Sequence, residues 1–361
     1  MLSLTEPAAE LLVADHAFTP GVPGFVGLAV DLLLDEPGLP GSLVGSLRER
    51  PPLRHGLLGA RSPRIAVVSG PPSPGIDVCA GRMAEDLPMP LPLIAGHGIT
   101  VLSEAADAVD PATAGGDTFA TATAGIRVAL EAGVEGDGPY GLRRRWDLAH
   151  ALAPVLAAAF ANAPLRRGRP SGWRSTRQAL RRNLPSAPPG PDPRAAWTAL
   201  VLDAPVAGTG RTLRAWSRSG PGDRPTVADL TRHLTELRPP VAARGHLELD
   251  VADRQPGNGW RVPLAVITAL LDDPQAATEA ETATRALAGT PRVWERTARD
   301  ALTDPELAAA ARECFVAAYA SLARQGVSRE LRDAVADFTE RYVLRGRCPA
   351  DDVLDRATAR P

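Results

Sequence analysis

The stretch Arg244-Gly-His-Leu-Glu-Leu-Asp-Val-Ala-Asp253-Arg-Gln-Pro256 decides the fold. Apolar and polar residues alternate along it, as on a strand whose successive side chains point to opposite faces. His246, Glu248 and Asp250 share one face, and Leu247, Leu249 and Val251 share the other. The apolar face packs on a core. The polar face carries carboxylates, with Arg244 at the strand's entrance. Hard cations such as magnesium take oxygen ligands, and a guanidinium pairs with phosphoryl oxygens. A solvated edge strand shows the same alternation, so the pattern alone leaves both readings open.

Working outward, Phe25 to Leu34 reads as a buried strand between Pro/Gly breaks, and Arg64 to Ser69 as a second. Ile126 to Glu131 alternates, with Ile126, Val128 and Leu130 inward. Residues 87 to 117 lack a pattern and read as loop-rich. Residues 142 to 162 read as a helix with Leu148, Leu152, Leu156 and Phe160 on one face, kinked by Pro154. Residues 185 to 193 are a proline-rich connector. Thr226 and Asp229 have the spacing of a helix cap. Beyond the strand the chain reads as helical. Asp304-Pro305 opens a helix with Leu307, Ala311, Cys314, Phe315, Ala318 and Leu322 on one stripe, stopped by Gly326. Ser328 starts what reads as the last helix, with Leu331, Val335, Phe338 and Tyr342 inward. Separated strands with mainly C-terminal helices predict an α+β class.

Composition narrows the function classes. A net charge of −2 over 361 residues points to no nucleic-acid partner. All 40 basic residues are arginine. Without lysine, no Gly-Lys-Ser/Thr phosphate loop is possible, and Gly208-Thr-Gly-Arg-Thr212 reads as an ordinary loop. Cys79, Cys314 and Cys348 have neither disulfide nor zinc spacing and fit reduced thiols in a cytoplasm. The acidic N-terminus does not read as a secretion leader. No apolar run approaches the roughly 18 residues of a membrane span. Oligomeric state is not written in these features.

Several blocks, in order from about residue 118 to 355, carry a family resemblance. They include Arg144-Arg-Trp-Asp-Leu-Ala-His150, Gly168-Arg-Pro-Ser-Gly-Trp-Arg-Ser-Thr-Arg-Gln178, Asp192-Pro-Arg-Ala-Ala-Trp197, Pro239-Pro-Val-Ala-Ala-Arg-Gly-His-Leu-Glu248 and Tyr342-Val-Leu-Arg-Gly-Arg-Cys-Pro-Ala-Asp-Asp352. The chain thereby resembles the glutamate–cysteine ligases of the ergothioneine pathway, within the carboxylate–amine ligase superfamily. The resemblance implies one domain over 1–361, with a divergent strand-bearing part over 1–117 and a family-like part over 118–361. It implies a curved antiparallel sheet of the glutamine-synthetase-like carboxylate–amine ligase fold, flanked by helices. It also implies ATP and Mg2+, with glutamate and cysteine as substrates and a γ-glutamyl phosphate between them.

By that resemblance Arg244 would contact the phosphoryl group, Glu248 and Asp31 would hold magnesium, and Trp173, Ser175 and Arg177 would lie near substrate. The alternative for those last three is anchoring a loop. Asp253 is expected in a structural role, and His150 and His233 as hydrogen-bonders of helices. Departures concentrate in the first third. The family's Gly-x-Glu-x-Glu-Trp corresponds to Gly27-Leu-Ala-Val-Asp-Leu32. Aligned on Ser69, Arg61 and Val67 stand at glutamate positions of the second strand, and Arg127 and Ala129 replace polar residues of the third. Three readings follow: a glutamate–cysteine ligase, a noncatalytic homologue, or a ligase of other substrate with metals held by Asp31, Glu131, Glu248 and Asp250.

Overall fold

The computed structural model describes residues 3–35, 38–41, 53–108, 121–166, 168–182, 184 and 190–359. The strands are β1 (Phe25–Leu33), β2 (Leu57–Ser62), β3 (Ile65–Ser69), β4 (Ser73–Pro74), β5 (Ala106–Ala108), β6 (Thr121–Thr123), β7 (Gly125–Leu130), β8 (Leu165–Arg166), β9 (Arg169–Pro170), β10 (Val241–Ala243) and β11 (Leu247–Asp253). One antiparallel sheet runs β10-β11-β7-β1-β3-β2, with β4 pairing on β1. Strands from both the divergent and the family-like part therefore share one sheet. The protein is α+β, with helices dominating the C-terminal part.

The strand that opened the sequence reading is not an edge strand: β11 lies between β10 and β7. Its apolar face is Leu247, Leu249 and Ala252, level with Leu130, Val128 and Ile126 of β7. On β1 the same face carries Val26, Leu28, Val30 and Leu32, all at most 2% exposed. Three helices pack against this face, Leu142–Ala159 (α4), Arg261–Asp272 (α9, counting helices along the chain) and Ile76–Asp86. The intervening helices are α5 (Thr176–Arg181), α6 (Pro193–Asp203), α7 (Leu213–Ser217) and α8 (Val227–Glu236), and α1 to α3 are Glu6–Ala17, Ile76–Asp86 and Leu91–Gly96. α9 is apolar nearly all round, as a helix packed on several sides must be. Beyond it lie α10 (Pro274–Thr284), α11 (Val293–Arg299), α12 (Pro305–Arg324), α13 (Arg329–Arg341) and α14 (Pro349–Thr358).

Local chemistry sets the helix ends. Thr226 and Asp229 form a capping box on α8. Asp304 caps α12 ahead of Pro305, and all six residues of the expected stripe are buried. Pro154 sits inside α4, which stops at Ala159, a few residues short of the expected end. Two expectations change. The helix after Ser328 is not the last, because Cys348 and Pro349 start another whose Asp351 bonds back to the Cys348 amide. Residues 87 to 108, read as loop, contain α3 and β5; residues 109–117 and 185–189 of the expected loops lie outside the described residues. The three cysteines are free and buried.

Candidate functional site

The second face of the sheet is polar, and its carboxylates are already paired. Asp31 of β1 is 1% exposed, and both of its oxygens are taken: Arg127 donates to Oδ1 at 2.8 Å, and Arg61 to Oδ2 at 2.7 Å. The Gly125 amide donates to Oδ2 at 3.1 Å. Burial alone would raise the Asp31 carboxyl, but Arg127 and Arg61 outweigh it and hold it below the usual carboxylate range. The two guanidinium groups together outweigh the single charge of Asp31.

Asp250 of β11 repeats the arrangement. It is 2% exposed and accepts from Arg177 at Oδ1 and from Arg181 at Oδ2, the latter at 2.8 Å. Arg177, Arg181, Arg127 and Arg238 together overcome burial and hold it well below the ordinary range. Asp253 reaches the same face through an irregularity. Leu249 pairs with Val128 but Ala252 pairs with Ile126, so one extra residue is inserted on β11. That bulge shifts the side-chain phase, placing Asp253 with Asp250 despite their odd separation. Asp253 accepts from the Asn162 amide at 2.8 Å and from Ser175 Oγ at 3.0 Å. Burial dominates there and raises its carboxyl above the usual value.

The residues singled out from sequence fall into two groups. Ser175 is fully buried, caps α5 by accepting from the Gln178 amide, and anchors Asp253. It anchors structure. Arg177, 1% exposed, is committed to Asp250. Gly125 makes this possible, since a Cβ there would collide with the Arg177 guanidinium. Trp173 stays partly exposed, with the Arg182 guanidinium 5.2 Å from its ring centre. Arg244 donates to Glu248 Oε1 at 2.9 Å and to the carbonyls of Leu234 and Leu237 at 2.7 Å each. It thus ties β11 to the C-terminal end of α8, as cations there commonly do. His150 bonds the Trp146 carbonyl in its own helix, and burial lowers its imidazole to about 4, so it stays neutral. His233 bonds the Val201 carbonyl of α6 rather than its own helix.

Two arginines escaped the sequence reading: Arg181 and Arg238. Only the fold brings them to this face, from a helix 69 residues away from Asp250 in the first case and from the turn before β10 in the second.

Comparison with known proteins places the chain. A family model described as glutamate–cysteine ligase family 2 matches residues 105–361. The chain belongs to that family. It is 32% identical over 403 residues to the glutamate–cysteine ligase EgtA of Mycobacterium tuberculosis, covering 98% of this chain and 90% of that protein. Identity to EgtA of Mycolicibacterium smegmatis is 37% over 271 residues, covering 68% and 60%. A chloroplastic glutamate–cysteine ligase A of Oryza sativa subsp. indica is 28% identical over 140 residues, covering 33% and 28%. The family model begins at residue 105, yet β1 to β4 before it complete the same sheet as β7 and β11.

Membership in this ligase family raises the question of magnesium, and the donor set does not fit it. Magnesium is usually held by one or two carboxylates whose oxygens are free to bind it, with water and substrate phosphate filling the rest of its octahedron. Here Asp31 and Asp250 spend both oxygens on guanidinium groups, Glu248 is held by Arg244, and Asp253 by Ser175 and Asn162. Among the described residues, no three His, Cys, Asp or Glu side chains converge as metal ligands would. Asp31 and Glu248, each expected to hold magnesium, are both bound by arginine in this structure. Arg127 reaches Asp31 from the adjacent β7, and Arg61 from β2, one strand beyond β3.

Proposed function

We propose that this chain is an ATP-dependent glutamate–cysteine ligase that forms γ-glutamylcysteine for ergothioneine biosynthesis. What carries the reading is the match to EgtA, which runs along 98% of the chain. The antiparallel sheet with Glu248 on an interior strand supports the carboxylate–amine ligase fold. In this reaction the γ-phosphoryl group of ATP passes to the γ-carboxylate of glutamate, and ADP leaves. The amine of cysteine then forms a bond to the acyl carbon, phosphate departs with the C–O bonding pair, and the amine gives up its proton. A carboxylate is a poor electrophile, so phosphorylation supplies the leaving group.

The chain's own residues serve this chemistry through charge and position. The transferring group gathers negative charge on its oxygens, and fixed guanidinium groups stabilise it without reorganising. Arg61, Arg127, Arg181 and Arg238 supply that field. Arg244 acts as a positioning residue, holding Glu248 and the end of α8. Trp173, beside Arg182, is the partly exposed wall offered to the amino-acid substrates. Buried unpaired thiols fit a reducing cytoplasm. No described helix is long and apolar enough to cross a membrane.

Purified protein given glutamate, cysteine, ATP and magnesium tests the reading. ADP release that requires both amino acids is the expected result. Release with a different amine donor would keep the ligase and change its substrate. No release, with no ATP-induced rise in melting temperature, would leave a noncatalytic homologue on the same scaffold.

A further inference from the structure

Six guanidinium groups, Arg61, Arg127, Arg177, Arg181, Arg238 and Arg244, meet four carboxylates on the polar face: Asp31, Glu248, Asp250 and Asp253. The surplus is two positive charges. It is not spread evenly. Arg238 makes no hydrogen bond among the described residues, and its nearest counter-charge is Glu248 at 3.8 Å, which Arg244 already holds at 2.9 Å. Its Nε is buried and has no partner, as is the Nε of Arg61. Burial, with Arg127 and Arg244 nearby, pulls the Arg238 guanidinium down to about 10. Burial and Arg177 do the same to Arg181. Like charges are being held together in a poorly solvated place, a costly arrangement unless an anion completes it. Access remains, because the side chains of Arg61, Arg238 and Arg244 keep 23%, 21% and 19% of their surface and Arg181 keeps 10%.

We propose that the polar face of the sheet is a metal-independent anion site, in which the surplus guanidinium groups, Arg238 foremost, take a phosphoryl group directly. The charge count favours a dianion, and a phosphoryl group becomes one above its second pKa of about 6. Guanidinium forks suit its oxygens, and no cation is needed to bridge them. The proposal rests on the ligase reading only for the source of that phosphoryl group. The charge balance stands without it.

Calorimetric titration of the full chain with inorganic phosphate, and separately with glutamate, tests the site in excess EDTA and again in excess magnesium. Phosphate binds in EDTA, and magnesium changes its affinity by less than about twofold. Arg238→Gln weakens binding about tenfold or more while the anion-free protein melts no lower than the parent, since Arg238 makes no hydrogen bond among the described residues, and Arg238→Lys recovers part of the loss. Phosphate binding that requires magnesium overturns the proposal, as does an Arg238→Gln protein that binds like the parent. Glutamate binding in EDTA without phosphate binding assigns the surplus to a carboxylate and overturns it too. The ADP-release assay is read in parallel. No ADP with phosphate binding intact sinks the ligase reading alone, and ADP without phosphate binding sinks the anion site alone.

Discussion

The two faces of one sheet are held by different physics. Leu249 and Asp250 are neighbours on β11, at 0% and 2% exposure, yet they point to opposite sides. Leu249 lies in a continuous apolar core with Val128, Leu28 and α4. Asp250 lies in a lattice of guanidinium groups from α5, β7 and the turn before β10. Apolar burial tolerates any neighbour of suitable size. A buried charge tolerates only its own partner. The difference teaches where this molecule is brittle, and variants of the two neighbours probe it most strongly.

Asp250→Ala carries the largest expected effect. It strands Arg177 and Arg181 in a dry site, at a cost of about 3–5 kcal/mol in denaturant unfolding. A loss under about 1 kcal/mol would mean that water reaches those guanidinium groups and that the lattice is looser than its geometry. Leu249→Ala costs about 2–5 kcal/mol through lost transfer and a cavity. The two are distinguished by pH. Asp31 and Asp250 have folded values below their unfolded value of about 3.9, so their contribution is present above that pH and vanishes as pH falls through the folded values. Asp253 runs the other way: its folded value is raised, so its contribution is present below about 3.9 and is lost as pH rises through the folded value. Stability of the parent and of Leu249→Ala should fall together in acid. Asp250→Asn should flatten that fall, and an unchanged acid limb would remove Asp250 from the lattice.

Gly125→Ala sits between the two faces in effect. Its methyl group would displace the Arg177 guanidinium rather than core side chains. The expected cost is about 1–3 kcal/mol, as for overpacking. Combining it with Arg177→Met should recover most of that loss, since the collision then meets a slimmer, neutral side chain. A double variant no better than Gly125→Ala would place the strain in the strand backbone instead.

The same contrast explains what the sequence made legible. Alternation placed Val128, Leu249 and their neighbours correctly because burial on a strand is a period-two property. Thr226-x-x-Asp229 and Asp304-Pro305 were readable because caps are local. α1 was missed although Thr5 and Pro7 mark its start, because its sequence Glu6–Ala17 is apolar without a clear stripe. Asp253 could not be assigned to the polar face, because the bulge that brings it there is set by pairing with β7. Arg61 was visible as a replaced position, but its partner Asp31 is 30 residues away and on another strand. Arg181 and Arg238 lay in unremarkable polar stretches. Family motifs located Arg244 and Glu248; only the fold revealed that each binds the other.

That last pair offers the smallest and sharpest test. Arg244 spreads its donors over Glu248 and two carbonyls at the end of α8, and both side chains keep some surface. Glu248→Gln keeps the shape and an acceptor oxygen while removing the charge. With the helix-end bonds intact, the stability cost should be about 1 kcal/mol or less. Removing this carboxylate also leaves Arg238 without its nearest counter-charge. Phosphate affinity should therefore rise in Glu248→Gln, the opposite of what loss of a magnesium ligand would do to nucleotide-linked binding. A fall in phosphate affinity that magnesium restores would return Glu248 to metal duty and reunite this sheet with a metal-gripping one.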